Sequence, residues 1–247
     1  MLRLERTEGV FGPTIQGEGV KIGVPVTFVR LYGCDGDCIW CDTPHAVPIL
    51  NKNTGVFDEV KADEIYRRIE EIGCKGVVIS GGNPLIFGDK LTPLIMMLSH
   101  GGYTIQIETQ GSIKPKNGML MPNVFWSVSP KLPSAGKRMF MKQWKAVQYF
   151  LSMIPHESSQ FKFVVADDAD YSALKERLET YPLMNHRNVI LQPEGLQNDG
   201  YSLSSYSLAL QSLCDRVSRD TVYWSHFSSF RVLPQLHKII WQKEKQR

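Results

Sequence analysis

The sequence lacks any apolar run long enough to span a bilayer, and its opening residues, MLRLERTEGVFG, lack the apolar core of a signal peptide. These absences predict a protein that uses no membrane and works in the cytoplasm. It also lacks a strong charge of either sign. Lys and Arg number 28 against 25 Asp and Glu, a net charge of +3. That excess gives no broad field for a nucleic-acid platform, so no nucleic-acid partner is expected. No repeat, low-complexity tract or linker interrupts the 247 residues, and 43% are hydrophobic, so a single domain over residues 1–247 is expected. Cysteine is scarce and odd in number, five in all, which excludes a disulfide framework.

Three of those cysteines cluster as Cys34-Asp-Gly-Asp-Cys38-Ile-Trp-Cys41, whereas Cys74 and Cys214 stand alone. A closed zinc site takes four protein ligands, and the only nearby candidate for the fourth is His45. Thiolate-rich sets also suit iron–sulfur clusters, whose common forms take four cysteines. Three thiolates without a fourth leave one iron open, and an open iron suits chemistry more than electron storage. The incomplete set favours a cluster over zinc.

Periodicity places these cysteines in a fold. Val26–Tyr32 reads as a strand that delivers the chain into the cysteine loop, residues 33–43. Ile65, Ile69 and Ile72 mark one face of a helix over 62–72, and Gly76–Ser80 is a short apolar strand closed by Gly81-Gly82-Asn83-Pro84. Leu91, Leu94, Ile95 and Leu98 mark a second helix. Tyr103, Ile105 and Ile107 alternate with polar residues in a strand that ends at Gly111. Further strands are predicted at 124–129, 161–165 and 188–192, with a last one between 221 and 232. Helices are predicted around 139–152, 169–180 and 203–218, and loops over 42–58 and 111–123. Strands alternating with helices argue for parallel βαβ units, and the loops leave room for fewer than eight. The expected architecture is α/β, an incomplete barrel of about six strands with a mostly parallel sheet. Ligands in such sheets bind at the carboxyl ends of the strands, where the chemically suggestive residues fall.

Cys-x3-Cys-x2-Cys with Trp40 before the last cysteine resembles the signature of radical S-adenosylmethionine (SAM) enzymes. Gly81-Gly82-Asn83-Pro84 is similar to their Gly-Gly-Glu-Pro motif. Phe11–Gly19, Arg30, Cys41–Thr43, Glu108–Gly111, Ser129–Lys131, Leu191–Pro193 and Arg231–His237 narrow the resemblance to the 7-carboxy-7-deazaguanine synthases, over residues 11–237. The resemblance implies a ring contraction of 6-carboxy-5,6,7,8-tetrahydropterin to 7-carboxy-7-deazaguanine with loss of ammonia, a step toward queuosine and related deazaguanines. It implies a 4Fe-4S cluster on Cys34, Cys38 and Cys41, SAM on the open iron, and Mg2+ on Thr43 beside Asp42. A flavodoxin- or ferredoxin-like electron donor and a homodimer are implied as well.

By the same resemblance, Trp40, Gly81, Gly82, Asn83, Ser129, Pro130, Lys131, Gln192, Pro193 and Glu194 contact SAM. Asn83 replaces the commoner Glu, and its amide oxygen accepts a hydrogen bond without bringing a charge. Ile15, Gln16, Gly17, Glu18, Arg30, Ser80 and His237 form the substrate pocket. Gln and Glu can match a pterin's donors and acceptors, and Arg can pair its fork with a carboxylate. Gly17 and Gly19 lack the Gly-Lys-Ser/Thr ending of a phosphate loop. No role is assigned to His45 or Glu108, and Cys74 and Cys214 are expected to be bystanders. Nor does any residue read as catalytic beyond the radical the cofactor supplies. The segment after about residue 238, IIWQKEKQR from Ile239, is a C-terminal extension. Two rivals remain: an activase that installs a glycyl radical on a partner protein, and a zinc- or cluster-stabilised binding module without activity.

Overall fold

The computed structural model describes residues 1–7, 9–50, 57–195 and 201–242. Its ten strands are β1 (Leu2–Glu5), β2 (Val10–Ile15), β3 (Pro25–Leu31), β4 (Phe57–Val60), β5 (Gly76–Gly81), β6 (Thr104–Thr109), β7 (Val124–Val128), β8 (Ser159–Val165), β9 (Asn188–Pro193) and β10 (Ser229–Val232). The helices are α1 (Ala62–Ile72), α2 (Thr92–His100), α3 (Lys137–Lys142), α4 (Trp144–Met153), α5 (Asp168–Thr180), α6 (Leu203–Arg219), α7 (Thr221–Trp224) and α8 (Leu236–Ile240). One sheet runs in the order β10-β9-β8-β7-β6-β5-β3-β1-β4, with β2 also on β3. The seven strands from β10 to β3 pair in parallel, and among the described residues the two ends of the sheet do not join. The incomplete parallel barrel expected from periodicity is present, with seven parallel strands instead of about six.

The other three strands are antiparallel additions at one edge. Leu2 and Leu4 alternate with exposed Arg3, a period-two signal short enough to overlook. The chain stays in β2 through Gly12-Pro13, where the register shifts between Phe11 and Thr14. The loop expected over 42–58 holds, among its described residues, a short 3-10 turn at Pro44–Ala46, and β4 begins inside it at Phe57. Residues 51–56 of that span lie outside the described residues.

Period-two alternation positions the site. Ile105 and Ile107 of β6, Phe161 and Phe163 of β8, and Val189 and Leu191 of β9 join the main apolar cluster under the helices. Gln106 and Glu108, Gln160 and Lys162, and Ile190 and Gln192 must then face the other way. Register brings them level: Arg30 pairs with Ser80, Glu108 with Ser127, and Val164 with Gln192. The helices lock this arrangement by burying stripes such as Ile65 and Ile69 of α1, both 0% exposed. Gly73 then ends α1 in the left-handed region at φ 77°.

Candidate active site

A cavity of about 610 Å³ opens at the carboxyl ends of the parallel strands. Cys34, Cys38, Trp40, Cys41 and Thr43 line it from the loop after β3. Gly81 and Gly82 line it from the end of β5, and Ser129, Lys131, Gln192 and Glu194 from loops or strand ends further along the sheet. Ile15, Gln16, Gly17, Glu18, Arg30, Ser80 and His237 complete the same wall. Of the residues assigned to cluster, metal, SAM or substrate, only Asn83, Pro130 and Pro193 do not line it. Cys74 and Cys214 are half-buried and also lie elsewhere.

The cysteine loop is held from behind. Trp40 Nε1 donates to Ser134 Oγ at 2.9 Å, and Ser134 Oγ donates to the buried Asp170 of α5 at 2.6 Å. Met139 of α3 and Ala135 pack on Cys38. Gly81 and Gly82 are required by packing as well as by any ligand. A Cβ on Gly81, at φ +114°, would lie 2.1 Å from Leu31 O, and one on Gly82 would lie 1.9 Å from Gly33 O. These glycines let the end of β5 press against the start of the cysteine loop. Burial pushes the Cys34 thiol up to about 11 and the Cys41 thiol up to about 12, and raises Cys38 also. Ligation requires the thiolates, so bound iron must offset that burial.

Asn83 sits behind this loop. It is 0% exposed, and its Oδ1 accepts from Thr109 Oγ1 at 2.9 Å. Its Nδ2 donates to Asp35 Oδ1 at 2.9 Å and to Ser112 Oγ at 3.1 Å. The amide that resemblance assigned to SAM is therefore engaged inside the protein. It ties the cysteine loop to the end of β6.

The opposite wall is built around two carboxylates. Glu108, left without a role by sequence reasoning, accepts from Gln16 Nε2 at 3.0 Å, Ser80 Oγ at 2.8 Å and Gln106 Nε2 at 3.1 Å. Gln16 Oε1 in turn accepts from Glu18 N at 3.1 Å, which fixes the loop that presents Glu18. Glu18 Oε2 is ion-paired with Lys162, and Glu18 Oε1 accepts from Gln192 at 3.1 Å and Gln235 at 2.5 Å. Burial opposes the Glu18 charge, yet Lys162 and then His237 hold its carboxyl well below the usual range. Burial likewise opposes the Lys162 charge, but Glu18 and Glu108 hold its ammonium above its ordinary value. His237 is lowered, chiefly by burial, against the pull of Glu18 and Asp42. Its imidazole occupies the space a Gly17 side chain would need, with Nδ1 2.3 Å from the position of a Cβ there.

Sequence reasoning missed Lys162 and Gln235. A charged residue between Phe161 and Phe163 was the available signal for the first. The second lies outside any strand pattern, and its segment is brought to the cavity by bonds distant in sequence, from Leu236 N to Gly17 O and from Gln235 N to the Tyr206 hydroxyl. Gln192 Oε1 and Gln235 Oε1 are buried and have no hydrogen-bond partner among the described residues. Each such atom costs about 1–3 kcal/mol, so two in one cavity point to a ligand that donates to them. Thr43 is 7% exposed; its Oγ1 donates to Asp42 Oδ1 at 3.0 Å and accepts from Arg30 Nη1 at 3.4 Å. No side-chain cap bond forms at the turn that follows, so Thr43 does not serve as a helix cap.

Three thiols on one loop, facing a cavity with unpaired polar atoms, fit a 4Fe-4S cluster with a ligand on its open iron. That is the donor set of a radical SAM enzyme, and the model of the Radical SAM superfamily matches residues 28–116. The 7-carboxy-7-deazaguanine synthase of Bacillus subtilis (strain 168) is 30% identical over 240 residues, 94% of each chain. The crystal structure of QueE from Escherichia coli aligns with a TM-score of 0.65 at 27% identity, covering 96% of this chain and 94% of that one. Streptococcus suis SuiB bound to S-adenosylmethionine shares the fold, with a TM-score of 0.54 at 12% identity over 87% of this chain and 48% of SuiB. The chain belongs to the family of 7-carboxy-7-deazaguanine synthases, enzymes of the radical SAM class whose cofactors are a 4Fe-4S cluster and SAM.

Proposed function

We propose that this enzyme contracts the ring of 6-carboxy-5,6,7,8-tetrahydropterin to 7-carboxy-7-deazaguanine with loss of ammonia, supplying queuosine or a related deazaguanine. The observation that carries this reading is the shared cavity. Cys34, Cys38 and Cys41 form one side of it, and Arg30, Glu18 and the unpaired oxygens of Gln192 and Gln235 form the rest. When bound, the cluster and SAM supply a carbon-centred radical, a chemistry no side chain here provides.

The protein's own residues bind and orient. Glu18 uses three of the roughly four acceptor sites a carboxylate offers, so one remains for a pterin N–H. Its Lys162 partner keeps it charged for that task. Gln192 and Gln235 hold Glu18 with their amide nitrogens and offer their oxygens to further donors, such as the pterin amino group. Arg30 pairs with the substrate carboxylate. Thr43 would hold Mg2+, with the neighbouring Asp42 orienting it, and the metal would supply Lewis-acid chemistry beside Arg30. Ser129, Lys131 and Glu194, with the backbone of Gly81 and Gly82, line the part of the cavity assigned to SAM. Five unpaired cysteines support a reducing compartment, hence the cytoplasm. The homodimer and a protein electron donor rest on the resemblance.

Glu18→Gln and Arg30→Met test the clamp. Both variants should keep their iron and still cleave SAM slowly with dithionite, while deazaguanine formation falls by about 100-fold or more. Unchanged deazaguanine formation in either variant would overturn the assignment. An activase would not need these two residues.

A further inference from the structure

Two polar side chains outside the cavity hold the two sides of one contact within it. Trp40 and Lys131 both line the cavity, and Lys131 Nζ lies 5.5 Å from the centre of the Trp40 ring. Trp40 comes from the loop after β3 and Lys131 from the loop after β7. Those strands are not neighbours in the sheet, so register alone does not set the spacing of the two groups.

Each is fixed from behind. The Gln143 side chain, 0% exposed, accepts from Lys131 N at 2.7 Å and donates to Lys131 O at 2.5 Å. Both ends of the amide are thus engaged by the backbone of one residue, as a neighbouring strand would engage it. Gln143 stands at the N-cap of α4, yet its side chain makes no cap bond there. Lys131 Nζ in turn donates to Ser129 Oγ at 3.2 Å. On the other side, Ser134 Oγ holds the Trp40 indole N–H, and Asp170, also 0% exposed, holds Ser134. Asp170 accepts from Ser134 N at 2.9 Å and from Ala166 N at 3.0 Å as well, so one carboxylate joins the loop after β8 to the other two. Ser134, Gln143 and Asp170 all lie outside the cavity lining.

We propose that Ser134 and Gln143 are positioning residues for SAM. Ser134, backed by Asp170, sets the angle of the Trp40 indole, and Gln143 sets the place from which the Lys131 ammonium reaches the cavity. This rests on the radical SAM class of the enzyme and not on the identity of its second substrate. Turning the indole over would leave its N–H without this partner, so the ring keeps one orientation. A ligand that meets an aromatic face and a cation together binds more tightly when both are already in place, because their freedom was lost on folding. The two residues touch no ligand themselves and act through Trp40 and Lys131.

The test measures binding, by equilibrium dialysis of labelled SAM and, separately, of 6-carboxy-5,6,7,8-tetrahydropterin against the anaerobic, cluster-loaded enzyme before reduction. Ser134→Ala and Gln143→Met should each weaken SAM binding about tenfold, with iron content and pterin affinity at the wild-type level. Ser134→Thr keeps the hydroxyl and should restore SAM affinity to within about threefold of wild type. Unchanged SAM affinity in both Ser134→Ala and Gln143→Met overturns the assignment. So does loss of iron, or an equal loss of pterin affinity, either of which would make these residues general supports of the loops. A loss in Ser134→Thr as large as in Ser134→Ala overturns it too, since the hydroxyl would not be the acting group. If the wild-type enzyme cleaves SAM but leaves the pterin intact, the function proposed above fails, while a selective loss of SAM affinity in the variants still supports this inference.

Discussion

Lys162 and Glu18, 144 residues apart in sequence, meet as an ion pair in the cavity wall with both side chains only 11% exposed. One comes from β8 and the other from the loop after β2, so the pair fastens the substrate loop to the parallel sheet. Removing one partner leaves the other charge buried, which costs about 3–5 kcal/mol.

Lys162→Met is accordingly expected to lose stability by about that amount near neutral pH, measured by denaturant unfolding. Glu18 is held below its ordinary value, so its contribution is present above about pH 4.3 and is lost as pH falls through the lower folded value. Lys162 is held above its ordinary value, so its contribution is present below about pH 10.4 and is lost as pH rises through the higher folded value. In the variant, Glu18 keeps its burial without its cation, so its carboxyl moves up. The gap from wild type should narrow in acid, where that carboxyl protonates. Adding Glu18→Gln should restore stability without restoring activity. A pH-independent deficit would mean that Lys162 matters through packing alone.

Asn83→Ala removes a buried tie between the cysteine loop and β6 and leaves Asp35 and Thr109 short of a partner. It should cost about 2 kcal/mol and reduce the iron retained after purification. SAM affinity of the protein that keeps its cluster should change little. Loss of SAM affinity at full stability and iron content would return this amide to the cofactor.

Thr43→Ala should reduce turnover by about 10–100-fold, with part of the loss recovered at higher Mg2+. Iron content should stay at the wild-type level, since the Thr43 side chain bonds to Arg30 and Asp42, while its contact with the Cys41 thiol comes from the backbone, which alanine keeps. Loss of iron would show that Thr43 shapes the cluster loop instead.

The parts legible in the sequence were those with a local pattern. Cys34, Cys38 and Cys41 announced themselves by spacing, and the strands β3, β5 and β6 by apolar runs or alternation. Their carboxyl ends then located the cavity. Asn83 was found by its motif, but its bonds to Asp35, Ser112 and Thr109 were not legible, because a motif gives a position and not the direction of a side chain. Lys162 and Gln235 were missed because their meaning depends on Glu18, which reaches them only through sheet register and chain closure. The tail from Lys243 onward lies outside the described residues, but Lys238, Trp241 and Gln242 line the cavity. The extension thus begins at the mouth of the site.

The most direct measurement is the identity of the product. The reconstituted enzyme is incubated with SAM, a reductant, Mg2+ and 6-carboxy-5,6,7,8-tetrahydropterin, and the mixture is resolved by mass spectrometry. The expected result is 7-carboxy-7-deazaguanine with one ammonia released per product. Cleavage of SAM with the pterin left intact would contradict the proposed function.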